Sequence, residues 1–168
     1  MSHYEEFLQF LSVNYKPSII QKRFDYLKKQ LHKCSTKTGD SIVFAQLLDE
    51  CSGHYYSAIQ LSRATNNIYE KYLVAYEHDV NVLEAKIEAK LEQKKRNKEI
   101  STLSDSRIKR HLLSDPETAD EIMKLNNIKI ELKSRKDLCD GLARAWERKC
   151  KSLERLAGIT NFFIIGKS

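Results

Sequence analysis

Between His54 and Lys98 the chain holds neither proline nor glycine. Over most of that run Tyr55, Ile59, Tyr69, Tyr72, Leu73, Tyr76, Val80, Leu83, Ile87 and Leu91 fall at helical spacing, which keeps them along one face of a helix. At about 1.5 Å per residue such a helix spans roughly 65 Å. A stripe that long outruns any compact core, so it needs an equally long partner.

The partner is encoded downstream. Asp115 is a good N-cap, Pro116 suits the first helical position, and Glu117 places negative charge beside the positive helix end. From there Ile122, Leu125, Leu132, Cys139, Leu142, Trp146, Leu153 and Leu156 form a second stripe, with Gly158 as the expected stop. Gly141 costs about 1 kcal/mol against alanine but need not break so long a helix. Two long helices joined by a short connection predict an antiparallel hairpin. Within the connection, Ser104 to Leu113 has its own cap and the apolar residues Ile108, Leu112 and Leu113 at helical spacing, so a short connecting helix is expected.

The remaining segments read as helices too. Phe7, Leu8, Phe10 and Leu11 mark a short amphipathic helix over residues 4 to 13. Pro17 starts another, with Ile20, Phe24, Leu27 and Leu31 on one face and Lys22, Lys28, Lys29 and Lys33 on the other. It ends in the turn-rich STKTGD, after which Asp40 or Ser41 can cap a short apolar helix that Gly53 interrupts at most briefly. With five Gly, two Pro and 31% charged residues, the composition is that of long solvated helices, and the fold class is all-α. The 168 residues suit a single helical domain. It divides into a basic segment over 1–39, a hairpin core over 40–158 and an apolar tail over 159–168. The tail's Phe162, Phe163, Ile164 and Ile165 are too few to span a bilayer and too apolar to leave in water, so they should dock on the core or on a neighbouring subunit.

Catalytic signatures are missing: there is no Gly-rich phosphate loop, no G-x-S-x-G and no H-E-x-x-H. The best metal candidate, Cys51-x-x-His54 with Cys34 or His32, lacks a second matching pair and reads better as a buried thiol beside an imidazole. Cys139 and Cys150 lie about 16 Å apart on an intact helix, too far for a disulfide. The tyrosines offer possible stacking surfaces for bases, but their helical spacing favours core packing. The reading is therefore no enzyme, no cofactor and no metal. The start MSHYEEFLQFL has no basic leader and no run approaches a membrane span, so a cytoplasmic protein with reduced thiols is expected, in the host bacterial cytoplasm if phage-encoded.

Charge is distributed unevenly. From Lys16 to Lys37 seven Lys/Arg face one acid, from Lys94 to His111 seven face two, and the rest of the chain is net acidic. Basic helix faces are often merely solvated, but two such segments on an acidic body point to a polyanionic partner. Lys86, Lys90 and Lys94 recur every four residues, followed by Lys95, Arg96 and Lys98, with Arg107, Lys109 and Arg110 beyond the turn. Clustered at a hairpin tip, these repel one another, and a phosphate backbone relieves that repulsion with counterion release.

The order of these parts resembles the UvsY-like phage recombination mediators. The similar features are the Tyr-rich helix YYSAIQLSRATNNIYEKYLVAYEHDVNVLEAKIEAKL, a basic turn, LSDSRIKRHLLSDPE, and a long helix ending KSLERLAG with Arg148, Lys149, Leu153 and Leu156. The likeness covers residues 45 to 158. It implies a non-catalytic protein that binds single-stranded DNA, self-assembles, and helps a RecA-like recombinase displace single-strand-binding protein. It maps the family's basic residues onto Lys86, Lys90 and Lys94, and its assembly helix onto the segment through Leu156. The basic amino-terminal helix and the FFII tail depart from the family. A competing class is a coiled-coil scaffold, or a phage-encoded inhibitor of a host protein, that binds no nucleic acid. Either class calls for a homo-oligomer, because one small chain covers such stripes incompletely.

Overall fold

The computed structural model describes the backbone over residues 16–34 and 41–165, and the side chains over the same stretches apart from 17, 41–44 and 159–165. The helix expected over residues 4 to 13 lies outside them. All four elements among the described residues are α-helices: α1 Pro17–Lys33, α2 Ser41–Arg96, α3 Asp105–Ser114 and α4 Pro116–Ile165.

Each start has a local cause. Pro17 opens α1, and the Lys16 carbonyl accepts from the amides of Ile19 and Ile20 at 2.8 and 3.2 Å. Asp115 both ends α3 and begins α4. Its amide donates to the His111 carbonyl at 2.8 Å, while its Oδ1 accepts from the Glu117 amide at 3.0 Å. Thr118, just inside α4, is buried and donates its hydroxyl back to the Leu112 carbonyl, which fixes the angle between the two helices.

Two glycines behave differently from the expectation. Gly53 does not interrupt α2, and Gly158 does not end α4, which continues to Ile165. A glycine ends a helix by turning left-handed, and no described glycine has positive φ. At Gly53, the buried neighbours Cys51 and Ala58 hold the helix against glycine's cost of about 1 kcal/mol. The segment expected as a separate tail therefore has helical backbone through Ile165, and the side chains of Phe162, Phe163, Ile164 and Ile165 lie outside the described residues.

The described residues form two compact units. The first holds Ile68–Lys133 and thus both connections around α3. Its core is built from Leu83, Ile87, Leu91, Leu112, Ile122 and Leu125, with Ile100, Leu103 and Ile108 packed against it. Tyr72 is wholly buried and donates its hydroxyl to the Leu125 carbonyl, Tyr76 donates to Asn126 Oδ1 at 2.9 Å, and Lys90 reaches Asp115. These bonds join α2 to α4 within this unit: Tyr72 and Tyr76 meet Leu125 and Asn126, and Lys90, further along α2, meets Asp115 at the start of α4.

The second unit is formed by the described parts of Tyr15–Asn67 and Ser134–Ser168. Here Leu27 of α1 packs with Cys51, Ala58 and Leu61 of α2 and with Cys139, Leu142, Trp146, Cys150 and Leu153 of α4. The lysines Lys22, Lys28, Lys29 and Lys33 occupy the exposed face of α1, as its amphipathic spacing predicts. Ser62 donates to Asp140, which also accepts from Lys136 at 3.1 Å, so one carboxylate ties α2 to α4.

The buried line of α2 includes small residues that a search for large apolar side chains passes over. Ala58, Leu61, Thr65, Ile68, Tyr72 and Ala75 are all buried, at alternating spacings of three and four. That is the spacing of a left-handed helix seam, in which small side chains allow close approach. Thr65 is tolerated because its hydroxyl donates to the Leu61 and Ser62 carbonyls one turn back.

Candidate nucleic-acid interface

The basic cluster begins where α2 ends. Lys94, Lys95 and Arg96 form its last turn, where cations offset the negative end of the helix dipole. The chain then reverses through a Schellman turn. Glu99 N donates to Lys94 O, and Lys98 N donates to Lys95 O, each at 3.0 Å. Lys98 sits at the left-handed position of that turn with φ 62°, a place that glycine occupies at much lower cost. After it, Ile100 and Leu103 return to the core, and α3 presents Lys109 and Arg110 to solvent.

The nine cations expected at this surface divide into groups. Lys90 donates to Asp115 Oδ2 at 3.1 Å and to Glu117 Oε2 at 2.7 Å, tying α2 to the start of α4. Its hydrogen bonds to Glu117 and then Asp115 raise the Lys90 pKa, while the Lys90 ammonium holds the Asp115 carboxyl below its usual range. Arg107 is half-buried and donates from its guanidinium to the Thr102 carbonyl at 3.0 Å, bracing the approach to α3. Arg96 faces Glu92 one turn back at 3.8 Å. Lys94, Lys95, Lys98, Lys109 and Arg110 are exposed. Lys94 also lines a depression of about 290 Å³ with Lys90, His111 and Asp115. Lys86 is exposed further back on α2, beside a cavity of about 380 Å³ that is lined by Lys124, Asp79 and Glu121 as well. Its surroundings are of mixed charge.

Two tyrosines are committed to the fold. Tyr72 is buried, and the ring of Tyr76 is covered by the Lys129 ammonium, 4.0 Å from its centroid. Neither offers a free face to a base. Cys51 is a buried thiol against Cys34, and His54 lies between the rings of Tyr26 and Trp146 at 5.8 and 5.0 Å. Leu153, expected at a contact between subunits, is wholly buried in the core of its own chain, and Leu156 packs half-buried beside it. Both belong to the core that α1, α2 and α4 share in this unit.

Sequence reasoning missed the division of labour among the cations. Nothing local marks Lys90 as an ion-pair residue, because its carboxylates lie 25 and 27 positions away. In the basic turn the left-handed position falls on Lys98, one residue after Asn97, so the asparagine does not mark the residue that takes it. Comparison with protein-family models, curated proteins and solved structures returns no match to this chain. No helix among the described residues is long and apolar enough to cross a membrane.

Proposed function

We propose that this chain is a non-catalytic recombination mediator that binds single-stranded DNA at the end of a helical hairpin and promotes loading of a RecA-like recombinase. The observation that carries the reading is Lys98. A lysine in a left-handed turn position costs stability that glycine would restore, and it stands beside exposed Lys94 and Lys95 with Lys109 and Arg110 on the following helix. A cation kept at such a cost is accounted for by a polyanion that uses it. Phosphate contacts of this kind are indifferent to sequence and weaken steeply with salt. The resemblance to UvsY-like mediators supplies the rest of the proposal, namely displacement of single-strand-binding protein and self-assembly. Exposed Met123 and Ile130, seven residues apart on α4, provide apolar surface for a homo-oligomer.

Fluorescence anisotropy with labelled oligonucleotides at several salt concentrations tests the binding step. Single strands should be preferred to duplex, and reversing Lys94, Lys95, Lys98, Lys109 and Arg110 to Glu should abolish binding. Negligible affinity at low salt, or affinity unaffected by the reversals, sinks the proposal. The loading step is tested by recombinase filament growth on DNA coated with single-strand-binding protein, with and without this chain. The same exposed apolar residues favour, as a second reading, a helical scaffold that binds no nucleic acid. Purification free of nucleic acid together with a stable complex with another protein would select it.

A further inference from the structure

The second unit carries a thiol cluster that nucleic-acid binding does not use. Cys34, the residue that caps the end of α1, and Cys51 on α2 place their sulfurs 3.0 Å apart. Cys34 is the only one of the four cysteines that is not fully buried, so it is the one a solute reaches. Beside the pair lies a cavity of about 110 Å³ lined by both thiols and by Lys33, Glu50, His54 and Trp146. Trp146 is wholly buried, and its indole Nε1–H has no acceptor. Native folds almost always give a buried donor a partner, so an orphan beside a small polar cavity points to a small hydrogen-bonding guest.

We propose that Cys34 and Cys51 are a peroxide-responsive dithiol, in which a hydroperoxide that fits the adjoining cavity is reduced as a reversible disulfide closes between α1 and α2. In the first step the Cys34 thiolate attacks one peroxide oxygen. The O–O bond breaks, the other oxygen leaves with a proton as water, and Cys34 becomes a sulfenic acid. In the second, the Cys51 sulfur displaces the sulfenic hydroxyl, and the Cys51 proton departs with it as a second water. Two thiols lose two electrons and two protons, and one hydrogen peroxide gains them.

The geometry supports these roles. A disulfide bond of about 2.05 Å requires the sulfurs to close by about 1 Å. Cys34 has extended backbone (ψ 99°) just past the last turn of α1, so that approach need not unwind a helix. Burial, and then the neighbouring Cys34 sulfur, push the Cys51 thiol up to about 12, so it keeps its proton while Cys34 makes the first attack, and gives it up to the departing hydroxyl only as the disulfide closes. Cys139 and Cys150 are buried, and burial raises both thiols, which protects them from the same oxidant. The bridge would fasten the basic helix α1 to α2.

The experiment treats the full chain with graded hydrogen peroxide, blocks remaining thiols by alkylation, and maps peptides without reduction. Wild type should lose two of its four thiols to a Cys34–Cys51 crosslink that dithiothreitol reverses. Cys51→Ser should leave Cys34 as a sulfenic acid captured by dimedone, and Cys34→Ser should keep Cys51 reduced at the same dose. Trp146→Phe, which keeps a ring but removes the N–H, should slow oxidation severalfold. A crosslink to Cys150 instead, equal oxidation of all four cysteines as in urea, or no loss of thiol at a dose that oxidises free cysteine overturns the proposal. An unchanged rate in Trp146→Phe overturns the part given to the cavity.

Discussion

Replacing Lys98 separates what this residue costs the fold from what it gives to binding. A side chain with a β-carbon in the left-handed region costs about 1–2 kcal/mol. Glycine there avoids the clash but loses about 0.5–1 kcal/mol more conformational entropy on folding. Lys98→Gly should therefore stabilise the protein by about 0.5–1 kcal/mol, worth about 1–4 °C in melting temperature for a chain of this size. Lys98→Ala removes the same charge but keeps the β-carbon, so it should give no such gain. Urea and thermal unfolding followed by far-ultraviolet circular dichroism measure both variants. Anisotropy then asks about function: each variant loses one cation, so each should weaken single-strand binding equally and flatten the dependence of log affinity on log salt by about 0.7. If Lys98→Gly is no more stable than Lys98→Ala, the argument from the turn is wrong. If both bind DNA as wild type does, Lys98 is not retained for phosphate.

Tyr72→Phe keeps the buried ring and removes the hydroxyl bonded to the Leu125 carbonyl, so urea unfolding should show a loss of about 1 kcal/mol. Leu153→Ala empties a fully buried site in the second unit and should cost about 2–5 kcal/mol by the same measurement, without changing native mass in light scattering. The lowered pKa of Asp115 gives acid sensitivity of definite sign. Its contribution is whole above the ordinary value of 3.8 and is lost as pH falls below that through the lower folded value, so Lys90→Met should flatten the acid limb of stability against pH.

What could be read in advance was what depends on neighbours in sequence. Pro17 and the pair Asp115-Pro116 mark helix starts because a missing amide hydrogen and a short carboxylate act within one turn. The stripes of large apolar residues likewise announced α2 and α4. Gly53 and Gly158 misled because glycine permits a stop without requiring one, and packing elsewhere in the helix decides. The seam through Ala58, Thr65 and Ala75 was obscured because small residues are buried by what approaches them and carry little apolar signal of their own. Cys34 and Cys51, and Lys90 with its two carboxylates, meet through tertiary structure that no local pattern encodes.

The division among the cations also bears on how a polyanion would be held. For Lys90 to contact phosphate, its ammonium would have to leave both Asp115 and Glu117, unfastening α2 from the start of α4 and leaving those carboxylates to repel the strand. Arg107 has a similar obligation to the Thr102 carbonyl. Lys94, Lys95, Lys98, Lys109 and Arg110 carry no such obligation to an acid, and they flank the turn on both sides. Under the proposed function, phosphate contacts made by these residues would release counterions without opening the fold, and the salt dependence of binding would belong to them. On that proposal Lys90 would act one step removed, as a positioning residue. Its replacement should loosen the joint between α2 and α4, lowering affinity while leaving the slope of log affinity against log salt nearly unchanged.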